Sequence, residues 1–234
     1  TANDYLIANA DDKELKKRIK RVKSKVFWFS KKPFSGDGAY VKDGKILFSR
    51  RGEINLACSV SDIKLIGEHN LYNVLAAICA VMVMNVGIKQ IRAAVKNFKG
   101  VANRLELIKE INGVKYYNDT TATNPDATIA ALRALNSRNI ILLAGGADKK
   151  LDFKELAKTI PKFVKTLILF KGNASDKIFK NIRKSDFLIL GVFENVPSMK
   201  EAMQIAQANA KSGDIILLSP AAASFGIFKN EFDR

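Results

Sequence analysis

From residue 105 onward the chain alternates between short apolar runs and amphipathic stretches, and that rhythm restricts its fold more than any other feature. Strand-like runs at 105–111, 114–117, 140–143, 166–170, 186–190 and 215–218 mostly alternate with helical patterns at 125–135, 153–160, 174–183, 198–210 and 222–228. Alternation of this kind predicts an α/β fold: a Rossmann-like, largely parallel sheet with helices on both faces. Before residue 101 the pattern is different. A strand at 5–9 precedes a basic helix opened by Asp11-Asp12, and a second strand follows at 26–30. Turn signals Gly36-Asp37-Gly38 and Asp43-Gly44 divide 37–58 into a meander of short strands. A long apolar helix then runs from Gly67 to about Val86, Gly87 ends it, and a further helix covers 88–98. Gly100 marks the expected boundary between a domain at 1–100 and a domain at 101–234.

With 234 residues, 47% of them hydrophobic, the chain can bury a sizeable core. Its longest apolar run, Val74 to Met84, suits a buried helix and is too short for a membrane span. No signal peptide opens the chain, so a cytoplasmic monomer without a membrane partner is expected. Cys58 and Cys79 lack metal-ligand spacing, and Cys79 falls inside the apolar helix. The net charge of +16 raises the question of a nucleic-acid partner. The densest basic block, Lys13 to Lys25, carries Leu15, Ile19, Val22 and Val26 at helical spacing, which reads as one helix with a solvated basic face. No basic stretch is interleaved with aromatics, so no nucleic-acid partner is expected. An anionic small substrate accounts for part of the charge.

Three polar segments follow predicted strands of the second domain, where parallel sheets bind ligands. The first is Asn118-Asp119-Thr120-Thr121-Ala122-Thr123-Asn124, continued by Pro125-Asp126. Asn124 suits a helix N-cap, Pro125 the first helical position, and Asp126 the positive end of the dipole. Such a strand–turn–helix junction holds anions, or is simply a well-capped helix start; both readings stand at this point. The second segment is Gly145-Gly146-Ala147-Asp148-Lys149-Lys150, where glycines permit close backbone approach and Lys149 supplies a charge for a carboxylate or phosphate. The third, Ser219 to Ser224, offers hydroxyls. Elsewhere, Gly67-Glu68-His69-Asn70-Leu71-Tyr72-Asn73 opens the apolar helix with the only histidine, and Asn73 lies one turn beyond it. These asparagines either pair with a purine edge or cap the helix. Arg104 is either a bidentate oxyanion clamp or a surface partner of Glu106. Asp119 either accepts from ribose hydroxyls or caps a turn.

Taken in order, these motifs resemble the Mur ligase family, and within it the branch that adds D-glutamate. The run from Gly67 to Ala77 resembles the family's Gly-x-His-Asn-x-x-Asn-x-x-Ala-Ala signature, and Val101 to Glu106 its His-Arg-x-Glu junction. The 118–124 run resembles the stretch peculiar to the D-glutamate branch, and 145–153 and 217–230 its remaining glycine-rich and serine-rich segments. The resemblance implies a peptidoglycan-precursor ligase that activates a carboxylate with ATP as an acyl phosphate, which an amino acid attacks to form an amide. Implied partners are UDP-N-acetylmuramoyl-L-alanine and D-glutamate, with Mg2+ bridging the ATP phosphates. Carried over, His69, Asn70 and Asn73 belong to the ATP site, with Asn73 on adenine, and Arg104 and Asp119 hold phosphate and ribose. Thr123, Lys149 and Ser224 hold the D-glutamate carboxylates, and Phe232 packs against that amino acid.

The sequence departs from the family pattern in three places. Asn103 stands where the family usually has histidine, and Thr121 where some members have lysine. No Gly-x-x-x-x-Gly-Lys-[Ser/Thr] phosphate loop occurs. The expected organisation is therefore a fragment: a partial central ATP-binding domain without its phosphate loop at 1–100, then an amino-acid-binding domain at 101–234. No catalytic residue and no metal ligand is expected within it, and the fragment is expected to be inactive alone. Two alternatives remain: a non-catalytic nucleotide- or amino-acid-binding module, and a related ligase such as a folate polyglutamate synthetase.

Overall fold

The computed structural model describes residues 1–183, 191–225, 227–230 and 233–234. The chain divides into two compact units, Thr1–Gly100 and Val101–Arg234. In the first, strands β1 (Tyr5–Asn9), β2 (Lys25–Ser30), β3 (Gly38–Lys42), β4 (Lys45–Arg50) and β5 (Glu53–Ser59) form one sheet in that order. The β1-β2-β3 pairings are parallel and the β3-β4-β5 meander is antiparallel. Helices α1 (Lys13–Ile19), α2 (Glu68–Val83) and α3 (Ile88–Asn97) complete the unit. Its core joins Phe27, Ile46 and Phe48 of the sheet to Leu75, Ile78 and Cys79 of α2 and Ile91 of α3. Cys58 and Cys79 are buried free thiols.

Two boundaries in this unit differ from the sequence reading. The basic helix ends at Ile19, because Lys25 and Val26 pair with Tyr5 and Leu6 as the start of β2. Helix α2 stops at Val83 rather than near Val86. Asn85 takes a left-handed φ of 59° and donates its amide to Met82 O at 3.0 Å, while Val86 N reaches Val81 O at 3.0 Å. These two bonds close a Schellman motif, which asparagine tolerates.

The second unit contains a six-stranded sheet ordered β10-β9-β8-β11-β7-β6. Its strands are β6 (Glu106–Ile111), β7 (Val114–Asn118), β8 (Ile140–Ala144), β9 (Val164–Phe170), β10 (Gly191–Val196) and β11 (Ile215–Leu218). Among the described residues only the β6–β7 hairpin of this sheet is antiparallel. Period-two alternation sorts the central strands onto two layers. Ile140, Leu142, Leu167, Leu169 and Leu217 pack against helices α4 (Pro125–Leu135), α5 (Lys154–Phe163) and α6 (Asn173–Ile182). Ile141, Leu143, Ile168, Phe170 and Ile216 face α7 (Met199–Asn209). Covering both faces makes β8 continuously apolar and fully buried.

Here too the outcome differs locally. Leu105, at φ 43°, lies outside β6. The strand expected at 186–190 lies outside the described residues, and β10 begins directly after it. The helix expected at 222–228 is not formed among the described residues. Ala221 is left-handed at φ 60°, and Ala223 exchanges both backbone hydrogen bonds with Ala147, at 2.9 and 3.1 Å. Backbone groups engaged across the sheet edge are lost to a helix.

Candidate functional site

Three loops meet at the carboxyl edge of the second sheet, after β7, β8 and β11. They are bonded to one another. Ala221 N donates to Ala122 O at 2.9 Å, Gly145 N to Pro220 O at 2.8 Å, and the Ala147–Ala223 bridge joins the second loop to the third. The helix following the first loop starts as the sequence indicates. Asn124 accepts from Ala127 N at 2.9 Å, and Pro125 occupies the first helical turn.

Asp119, at the head of the first loop, is 5% exposed. Its Oδ1 accepts from Leu105 N at 3.0 Å and its Oδ2 from the Ser219 hydroxyl at 2.7 Å. Ser219 Oγ also lies 3.0 Å from Thr128 Oγ1, so the carboxylate is anchored through a hydroxyl pair to α4. Burial pushes the Asp119 carboxyl up to about 6, against the pull of Ser219, the Leu105 amide and the Arg104 charge. A carboxyl with a raised native pKa favours folding while protonated, and that contribution is lost as pH rises from the unfolded value near 4 to about 6. Asp119→Asn removes the titration. The stability of the variant minus that of the wild type should therefore increase by about 2 kcal/mol between pH 4 and pH 6.5, then level off. Denaturant titrations across that range check this; a difference that is flat or falls contradicts it.

Arg104 is exposed, and its guanidinium makes no hydrogen bond or ion pair to a described residue. The alternative pairing with Glu106 is not made: Glu106 Oε2 accepts from Asn103 N at 2.7 Å. Asn103 is left-handed at φ 63°. Its Oδ1 accepts from Asn118 Nδ2 at 2.9 Å, and its carbonyl from Thr121 Oγ1 at 2.9 Å.

The glycine pair does not form an open backbone cradle. Gly146 N donates to Ser175 Oγ at 3.3 Å, and its carbonyl accepts from Ala174 N at 3.0 Å. Close approach is indeed what the glycines permit, but the approaching groups belong to the chain itself. A Cβ on Gly146 would lie 2.3 Å from Ala223 O, and one on Gly145 2.0 Å from Ser175 Oγ. Beyond them, Lys149 is exposed without a bonding partner among the described residues. The adjacent Asp148 is fixed: its amide donates to Asn173 Oδ1 at 2.7 Å and its carboxylate accepts from Lys177 Nζ. That bond from Lys177 holds the Asp148 carboxyl below the usual range. Thr123 is half-buried in the first loop and Ser224 is 3% exposed in the third.

The sequence reading missed several residues of this edge. Arg234, 8% exposed, donates Nη2 to Thr120 O at 2.7 Å, Nε to Thr120 Oγ1 at 3.0 Å and Nη1 to Ala222 O at 3.2 Å. It clasps the first loop to the third across 114 positions of sequence, which local patterning cannot reveal. Thr128, inside the helix expected at 125–135, and Asn173, just before the one expected at 174–183, belong to no motif. Phe232 lies outside the described residues.

The remaining candidates belong to the first unit. Gly67, at φ 96°, opens α2 without a side-chain cap, so Asn70 and Asn73 are not capping residues. Asn70 Nδ2 donates to Ile66 O at 2.8 Å, and Asn73 Nδ2 to Asn70 Oδ1 at 3.3 Å. His69 is half-buried in the first turn. Asn73 borders an apolar cavity of about 470 Å³ whose other walls include Val74, Ile78, Ile91 and Phe98. No helix among the described residues is long and apolar enough to cross a membrane. Among the described residues no group of three His, Cys, Asp or Glu could hold a metal ion.

Residues 103–222 match the family model described as Mur ligase, glutamate ligase domain, and residues 1–81 match the Mur ligase middle domain. The UDP-N-acetylmuramoylalanine--D-glutamate ligase of Thermoanaerobacter sp. (strain X514) is 40% identical over 99% of the chain. The protein of the same name from Caldanaerobacter subterraneus subsp. tengcongensis is 41% identical over 99%. The chain spans about half the length of these curated relatives, 50% in each case. Two solved structures share the fold: MurF ligase from Thermotoga maritima in complex with ADP and a murein peptide ligase from Psychrobacter arcticus. The first has a TM-score of 0.66 at 17% identity, over 100% of this chain and 52% of that one. The second has a TM-score of 0.65 at 18% identity, over 95% and 49%.

Proposed function

The chain belongs to the Mur ligase family, and from that footing we propose that it is part of a cytoplasmic, ATP-dependent ligase that adds D-glutamate to UDP-N-acetylmuramoyl-L-alanine in peptidoglycan precursor synthesis. The observation that carries this reading is the bonding of the 118–124 loop to the 219–224 loop at one sheet edge, beside two exposed cations, Arg104 and Lys149. Amide formation through an activated carboxylate gathers negative charge, and fixed cations and donors must face it. ATP would supply the phosphoryl group that activates the carboxylate of UDP-N-acetylmuramoyl-L-alanine.

The chain's own residues then have these roles. Arg104 pairs with a phosphate oxyanion. Asp119 fixes the loop that carries it and, through its remaining lone pairs, meets the nucleotide ribose. Lys149, Thr123 and Ser224 hold the two carboxylates of D-glutamate, leaving its amine free to attack. His69, Asn70 and Asn73 serve the nucleotide, with Asn73 on adenine. The 1–100 unit acts as the partial ATP-binding domain and the 101–234 unit as the amino-acid-binding domain. The coupled assay is phosphate release with ATP, D-glutamate and UDP-N-acetylmuramoyl-L-alanine. The complete protein should turn over and these 234 residues alone should not; clear turnover by the isolated chain would sink the division of labour proposed here.

A further inference from the structure

Arg104 sits between two residues in the left-handed region, Asn103 at φ 63° and Leu105 at φ 43°. Asparagine tolerates that region, whereas a leucine there is strained. Such strain persists only where the surroundings over-determine it, and here they do. Three successive amides are engaged: Asn103 N with Glu106 Oε2 at 2.7 Å, Arg104 N with Val101 O at 3.2 Å, and Leu105 N with Asp119 Oδ1 at 3.0 Å. The Asn103 carbonyl accepts from both Thr121 N at 3.3 Å and Thr121 Oγ1 at 2.9 Å. The side-chain oxygen of Asn103 accepts from Asn118 Nδ2 at 2.9 Å, and Asn118 Oδ1 in turn accepts from Thr120 N at 3.0 Å.

The chain therefore bonds every side of the Arg104 turn while leaving its guanidinium exposed. The two departures from the family pattern, Asn103 and Thr121, are in direct contact and form one set. We propose that Asn118, acting through Asn103, is a positioning residue that holds the Arg104 turn so that the guanidinium meets a phosphate oxyanion. The proposal rests on the reading of Arg104 as an oxyanion ligand. It accounts for Asn103 as the acceptor of that bond in a conformation asparagine suits, not as a weakened catalytic group.

A double-mutant cycle in the complete ligase tests this, reading kcat/KM for ATP with KM for D-glutamate alongside. Asn118→Ala should lower kcat/KM for ATP by about tenfold, the worth of one such bond, and leave KM for D-glutamate unchanged. In an Arg104→Ala background it should cause no further loss. If the two losses multiply, or Asn118→Ala has no effect, Asn118 does not act through Arg104. If Arg104→Ala alone is neutral, the oxyanion reading itself fails and the proposal falls with it. Asn118→Asp keeps the bond from Thr120 N but replaces the donor to Asn103 with a carboxylate that repels its Oδ1, so it should lower kcat/KM for ATP at least as far should the alanine variant not fold. A crystal structure of the Asn118→Asp chain is the independent arm. The Arg104 guanidinium should leave the place it holds in the parent chain, and an unchanged position overturns the proposal.

Discussion

Lys149→Ala in the complete ligase is expected to lower kcat/KM for D-glutamate by roughly 10- to 100-fold, the range for losing a charge-assisted hydrogen bond to a carboxylate. The loss should appear in KM for D-glutamate and leave KM for ATP near its original value. Stability should not change, because Lys149 is exposed and bonds no described residue. Lys149→Arg keeps the charge but changes its geometry, and should recover part of the activity. The neighbouring Asp148, fixed by Asn173 and Lys177, presents the lysine from a rigid base. Steady-state kinetics with each substrate varied in turn checks the split. An equal loss for both substrates would argue that Lys149 acts on something other than the amino acid.

Gly146→Ala should be strongly damaging to the second unit. Its Cβ would sit 2.3 Å from Ala223 O, and φ is 133°, a region closed to side chains. The clash falls on backbone that cannot rotate away, because Ala223 and Ala147 are mutually bonded. Relieving it breaks the bridge between the second and third loops. A destabilisation of about 3 kcal/mol or more is expected, which lowers the melting transition of this unit by about 10 °C. Gly213→Asn is the control. Gly213 has φ 91° but open space around its Cβ position, and asparagine tolerates positive φ, so the cost should stay near or below about 1 kcal/mol. Scanning calorimetry of the three chains compares them, and equal shifts would show that conformation alone, not the close approach, sets the cost.

What could be read from the residues was what local spacing encodes. Asn124-Pro125-Asp126 announced the start of α4 because capping acts within one turn, and Asn124 does bond Ala127 N. The apolar run at Ile140–Ala144 announced a strand buried on both faces, and every residue of β8 is buried. The segment at 222–228 misled for the same reason. Its residues favour a helix locally, but Ala223 pairs with Ala147, 76 positions earlier. Arg234 was invisible because its partners, Thr120 and Ala222, come from loops brought together only by the β7–β11–β8 order. The glycine pair was read correctly as a place of close approach, but sequence could not say that Ser175 and Ala223 would be the approaching groups. The motifs located the carboxyl edge; the hydrogen bonds among its loops needed the fold.

We propose that these residues form the amino-acid-binding part of a D-glutamate-adding ligase. Amino-acid selectivity of the complete protein tests it most directly. Phosphate release would be measured with ATP and UDP-N-acetylmuramoyl-L-alanine against D-glutamate, L-glutamate, D-aspartate and L-lysine at equal concentration. Turnover with D-glutamate should stand well above that with the other three, and Lys149→Ala should lose that preference. Preference for L-glutamate, or release that does not depend on the amino acid supplied, would contradict it.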